Sequence, residues 1–116
     1  MVGSIAQAWD TAKKALSPIM SSAIVGLCTI EFYLPGLASL KEKRSILKSM
    51  LARMHNTFNV SAAEVDRQDN WQSAIIAFVS VSNSTTHVQQ VIENVLKWVE
   101  DHYPEAMMVK HHVELL

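Results

Sequence analysis

Lys41, Arg44, Lys48 and His55 recur at intervals of three, four and seven residues. At about 100° per residue on an α-helix, they fall together on one flank. Lys43 adds a further cation to the same segment. Cations beside the exposed N–H groups of a helix N-terminus suit phosphate. Such contacts give affinity without sequence readout, because base edges and not phosphates carry sequence information. The arrangement opposes local stability: Lys and Arg meet the positive end of the helix dipole. Arg44 and Lys48, one turn apart, repel by about 0.2–0.5 kcal/mol. Glu42 lies roughly opposite the stripe and suits a capping box with Ser39, and Arg53 points away. The alternative is a solvated flank whose stems cover the core edge, or cations paired with acids elsewhere.

Glu64, Asp66 and Asp69 surround a second polar segment, "AEVDRQDNWQ". Strand alternation places Glu64 and Asp66 on one side, where two carboxylates could hold a metal or exchange protons. The competing reading is a polar turn with salt bridges. No third ligand, glycine-rich phosphate loop or nucleophile motif accompanies these acids, so a small hydrolase ranks third among the functional readings. His111 and His112 are adjacent and face opposite sides of a strand. His111 is in phase with Val109, Val113 and Leu115, which predicts partial burial. His112 joins Lys110 and Glu114 on the polar side. His55 and His102 read as helix-end residues. No zinc-ligand spacing occurs, and neither a metal nor a cofactor is expected. Cys28, the single cysteine, excludes an internal disulfide and reads as a small buried residue.

These side chains need elements to hold them. Residues 1–22 form an N-terminal extension in which Ser4 and Gln7 suggest a capping box. Ile5, Trp9, Ala12 and Leu16 recur at helical spacing, and Gln7, Asp10, Lys13 and Lys14 form the polar face. Pro18 ends the helix. It is read as a docking helix, as an extension packed on its own domain or another copy, or as residues upstream of a start at Met20. Residues 23–116 form the domain proper. "AIVGLCTIEFYL" (23–34) is a strand stopped by Pro35-Gly36, and Leu40–Asn56 is a helix with Leu40, Leu47, Met50, Leu51 and Met54 inward. "FNVSAAEVD" (58–66) and "WQSAIIAFVSVS" (71–82) form a hairpin around "RQDN". A helix capped by Asn83 or Ser84 runs to about His102, and "AMMVKHHVEL" (106–115) is the last strand. The order βαββαβ predicts an α+β, ferredoxin-like fold: a four-stranded antiparallel sheet with both helices on one face.

Length and composition agree with one domain. The chain has 116 residues, 49% of them apolar, and a formal net charge of −1. A near-neutral chain can bind nucleic acid only through a local patch. No run approaches the ~20 apolar residues of a membrane span, and the N-terminus is a poor secretory signal. No membrane association and a cytoplasmic setting are the expectation. The open sheet face is expected to carry Leu27, Thr29, Tyr33, Ile75 and Val79. Leu27, Tyr33, Ile75 and Val79 are candidate interface residues, for a homodimer or another protein. An RNA-recognition sheet needs a glycine and a cation in its third strand, and "WQSAIIAFVSV" has neither.

Five segments together resemble the YlxP-like family of small bacterial proteins of unknown function. They are "LPG" (34–36), "SLKEKRSILKSML" (39–51), "FNVSAAEVD" (58–66), "QDNWQ" (68–72) and "VSN" (81–83). The resemblance covers about residues 24–116 and leaves 1–22 outside. It implies a ferredoxin-like fold and a bacterial, cytoplasmic protein. The family's association with translation and ribosome-maturation genes implies a ribosome- or RNA-related role, and no catalytic residues transfer. The expected function is a non-enzymatic accessory protein binding the small ribosomal subunit or rRNA through Lys41, Arg44 and Lys48, with Lys43 and His55 as additions. The alternative is an oligomeric protein–protein module using the sheet face or the N-terminal helix.

Overall fold

In the computed structural model, residues 4–16 and 22–116 are described. Alternation in "IVGLCTIEFY" makes β1 (Ile24–Tyr33), which turns Cys28, Ile30 and Phe32 into the core. A turn at Pro35-Gly36, closed by Leu37 N–H to the Leu34 carbonyl at 3.3 Å, leads into α2 (Leu40–Thr57). The helix stops at Phe58, whose N–H still reaches Met54 O at 2.9 Å. β2 (Ser61–Asp66) therefore starts later than the sequence suggests, because Phe58 belongs to the helix cap. β3 (Ser73–Ser82) likewise begins after Trp71 and Gln72, which close the preceding turn. α3 (Thr85–His102) is capped by Ser84, and β4 (Met107–Leu115) ends the domain.

The strands lie in the order β2-β3-β1-β4, and every neighbouring pair is antiparallel. Two βαβ units interleave to give this order, which is the ferredoxin-like arrangement. β1 and β3 occupy the centre. Their buried residues, with Ala74, Ile76 and Phe78 from β3, meet Leu47, Met50 and Met54 of α2 and Val88, Ile92, Val95 and Val99 of α3. At Gly26 α3 packs close against the sheet. A Cβ there would overlap Val88 Cγ1 and come 2.9 Å from Ile92 Cδ1.

Two expectations fail at the sheet edges. β2 shifts register between Glu64 and Asp66, so Glu64 lies opposite Ile76 and Asp66 opposite Ile75. Ile76 and Ile75 face opposite sides of the sheet, and the two carboxylates therefore diverge. Simple alternation misplaces them because the inserted Val65 has no partner of its own. His111 is exposed and not partly buried, because β4 is an edge strand that extends past the cover of the helices.

The N-terminal segment forms α1 (Ile5–Leu16), and its capping box is present: Gln7 N–H donates to Ser4 Oγ at 3.1 Å, and Ser4 N–H to Gln7 Oε1 at 3.2 Å. Ile5 is exposed. Pro18 and Met20 lie outside the described residues. Among the described residues no helix is long and apolar enough to cross a membrane.

Candidate functional site

The N-terminus of α2 is fixed by local chemistry. Glu42 N–H donates to Ser39 Oγ at 3.1 Å, and the Glu42 carboxylate accepts the Ala38 N–H at 2.8 Å. The return bond reaches one residue before the cap, and it commits Glu42 to the backbone. Lys41, Arg44 and Lys48 project into solvent beyond it. Among the described residues none of the three lies within ion-pair distance of a carboxylate. His55 is exposed at the far end, with Nδ1 3.0 Å from the Val60 carbonyl. A carbonyl only accepts, so Nδ1 carries the proton in that bond. Arg53 is spent elsewhere: it donates to Tyr103 Oη at 3.0 Å, and its guanidinium lies over the rings of Trp98 and Tyr103. The three cations are thus an exposed, undivided group.

Lys43 corrects the sequence reading. Its side chain is fully buried, and its ammonium donates to the carbonyls of Arg67 and Asn70, each at 2.6 Å. The Glu64 carboxylate stands 2.8 Å away. The ammonium is therefore turned inward, away from any solvent-borne phosphate. The buried positions of α2 are Lys43, Leu47, Met50 and Met54, spaced four, three and four. That spacing was present in the sequence. Centring the inward face on Leu40 displaced it by about half a turn-sector and hid Lys43.

The Lys43 ammonium shapes the β2–β3 connection. Arg67 sits at φ 62°, a left-handed conformation uncommon outside glycine. Its carbonyl accepts both Lys43 and the Asn70 N–H, the latter at 3.0 Å. Asp66 Oδ1 takes the Arg67 N–H at 2.7 Å. Glu64, Asp66 and Asp69 therefore do not form one centre: Glu64 pairs inward, Asp66 caps the turn, and Asp69 lies exposed on the loop. Among the described residues no cluster of three His, Cys, Asp or Glu side chains has metal-binding geometry.

On the open face, Leu27 lies opposite Val79, while Ile75 lies opposite Glu31 and Tyr33 opposite Ser73. Leu27, Tyr33, Ile75 and Val79 thus share one side. A charged group that the sequence reading missed divides them. Arg67 Nη1 is 2.7 Å from both Glu31 Oε2 and Ser73 Oγ, and Lys110 Nζ is 3.6 Å from Glu31 Oε1. The Arg67 hydrogen bond, helped by the charge of Lys110, holds the Glu31 carboxyl below the usual carboxylate range. These residues come from β1, the β2–β3 loop and β4, so no local pattern announces them. Cys28, facing the core, has its thiol pushed up to about 11 by burial. It stays protonated at neutral pH and is a poor nucleophile.

The fold and these surfaces define a small ferredoxin-like α+β protein with a basic helix flank and no convergent catalytic group among the described residues. The chain belongs to the family described as "Protein of unknown function (DUF503)", which matches residues 25–113. It is 37% identical over 82 residues to the "Uncharacterized protein YlxP" of Bacillus subtilis (strain 168), covering 71% of this chain and 88% of that one. Among solved structures, the designed protein Foldit4 aligns with a TM-score of 0.49 at 13% identity, over 81% of this chain and 96% of its own. A hydroxynitrile lyase from Passiflora edulis aligns with a TM-score of 0.45 at 14% identity, over 80% and 91%. Likeness at this level carries no functional argument.

Proposed function

We propose that the protein is a non-enzymatic accessory factor that binds structured RNA, on the small ribosomal subunit, through the Lys41/Arg44/Lys48 flank of α2. The observation that carries this reading is the exposed state of all three cations without a carboxylate partner among the described residues. Burial of Lys43 narrows the surface to those three, with His55 at its margin. The divergence of Glu64 and Asp66 favours a binding role over hydrolysis. The translation context implied by the family resemblance selects rRNA among phosphate-bearing partners, in a bacterial cytoplasm.

The test is binding of the full chain to small ribosomal subunits and rRNA fragments across salt concentrations. A Lys41/Arg44/Lys48→Ala variant should bind more weakly. Its slope of log affinity against log salt should be shallower by about 2–3, at about 0.7–0.9 per lost phosphate contact. Unchanged affinity and slope in the variant would remove the assignment.

A further inference from the structure

β4 is an edge strand whose outer backbone has no partner among the described residues. Exposed edges invite pairing, and proteins usually blunt them with charge, proline or a short strand. β4 has nine residues and no proline; Lys110 and the register slip at Val109 blunt its first half, while Val113 and Leu115 in its second half are exposed. From Lys110 to Leu115 its side chains alternate between the two faces, while the register on β1 slips between Lys110 and Met108 and leaves Val109 without a partner. Lys110, His112 and Glu114 lie opposite Glu31, Thr29 and Leu27 on the open face. His111, Val113 and Leu115 lie on the other.

The backbone restricts what can pair there. Val25 and Leu116 exchange both of their peptide hydrogen bonds, at 3.2 and 2.7 Å. Going back along β4 in steps of two, Glu114, His112 and Lys110 also point their peptide groups at β1. The outward groups therefore belong to Leu115, Val113 and His111. A second β4 arriving antiparallel must place odd residues opposite odd ones.

Only a few such registers exist for two identical strands, and the charges separate them. With His112 opposite its own copy, Lys110 faces Glu114 and Glu114 faces Lys110. His111 then faces Val113. Sliding by two residues in one direction sets Lys110 against His112, and in the other sets Lys110 against Leu116. The last of these also sets His112 against Glu114, a pair that is charged only when the imidazole is protonated; the first register alone joins lysine to glutamate.

We propose that β4 pairs with β4 of a second copy of this chain, antiparallel about a two-fold axis at His112, to form a continuous eight-stranded sheet. Each half contributes the same patch, as an isologous interface requires. The cross-strand Lys110–Glu114 contacts set the register, and the exposed Val113 and His111 of the other face gain each other as neighbours.

The proposal is tested by light scattering on the full chain over a range of concentrations, together with cross-linking. The wild-type protein should show twice the mass of one chain. Glu114→Lys puts two cations opposite each other and should return the mass to that of a monomer. Adding Lys110→Glu to it reverses both partners and should restore the dimer. His112→Cys should form a disulfide-linked dimer on oxidation, because directly opposed residues of a non-hydrogen-bonded pair stand about 4.5 Å apart at Cα. Lys110→Cys should not, because its copy lies four residues away. A wild-type monomer at every concentration overturns the proposal. So does a dimer that Glu114→Lys leaves intact or that His112→Cys fails to link.

Discussion

α2 and α3 cover the same face of the sheet with the same plan and different chemistry. Each has 18 residues and a serine N-cap, Ser39 or Ser84, whose hydroxyl accepts an N–H three residues on. The buried positions are spaced four, three and four in both: Lys43, Leu47, Met50 and Met54 in α2, and Val88, Ile92, Val95 and Val99 in α3. The first of these is the fourth residue of its helix in each case. At that equivalent place α3 presses Val88 against Gly26, while α2 buries an ammonium among two carbonyls and Glu64. One helix closes its first turn by apolar contact, the other by holding a loop. A long side chain at this point of α2 reaches past the sheet edge to the β2–β3 connection, which a valine could not do.

Removing the ammonium should have the largest effect. Lys43→Ala leaves the Glu64 carboxylate without its counter-charge and the Arg67 and Asn70 carbonyls without their donor, and should cost about 3–5 kcal/mol in urea unfolding. A Lys43→Met/Glu64→Leu pair sharpens the comparison, since it makes α2 resemble α3. It should recover most of that stability while amide exchange at residues 67–70 quickens. If exchange there does not change, Lys43 serves the core and not the loop.

The corresponding contact in α3 should matter less. Gly26→Ala forces Val88 and Ile92 away from the sheet and should cost about 1–3 kcal/mol as overpacking. Val88→Ala in the same chain should return part of that loss, and thermal unfolding of the three variants would show it. An uncompensated double variant would mean that the helix as a whole, and not Val88, sets the spacing. The caps should give the smallest change. Ser39→Ala and Ser84→Ala should each cost about 1 kcal/mol. The two values should agree within a few tenths, because the Glu42 bond to Ala38 does not depend on the Ser39 hydroxyl. A much larger loss for Ser39 would show the two bonds of α2 acting as one unit.

Much of this plan was legible in the residues. Ser39 marks the start of α2, Asn83 or Ser84 that of α3, Pro35-Gly36 ends β1, and alternation in "AIIAFVSV" assigns Ala74, Ile76 and Phe78 to the core. Those signals are local, arising from capping, turn conformation and side-chain period. The flank of Lys41, Arg44, Lys48 and His55 was legible for the same reason, since helical spacing alone sets it. At Lys43 residue type argues for solvent while phase argues for burial, since 43, 47, 50 and 54 form one inward row. The divergence of Glu64 and Asp66 is not legible in β2, because its register shift depends on how β3 is met. The Glu31–Arg67–Lys110 group was out of reach, its members being 36 and 43 residues apart in sequence.

By itself the amino-acid order determined the seven elements and their order, because those follow from dihedral preference and periodicity within a few residues. Tertiary structure decided which cations are free and which is consumed, since a lysine's surroundings come from segments more than twenty residues away. It also decided that β4 is an edge. Strand order depends on how two βαβ crossovers interleave, and that order leaves one flank of β4 with outward peptide groups and exposed valines.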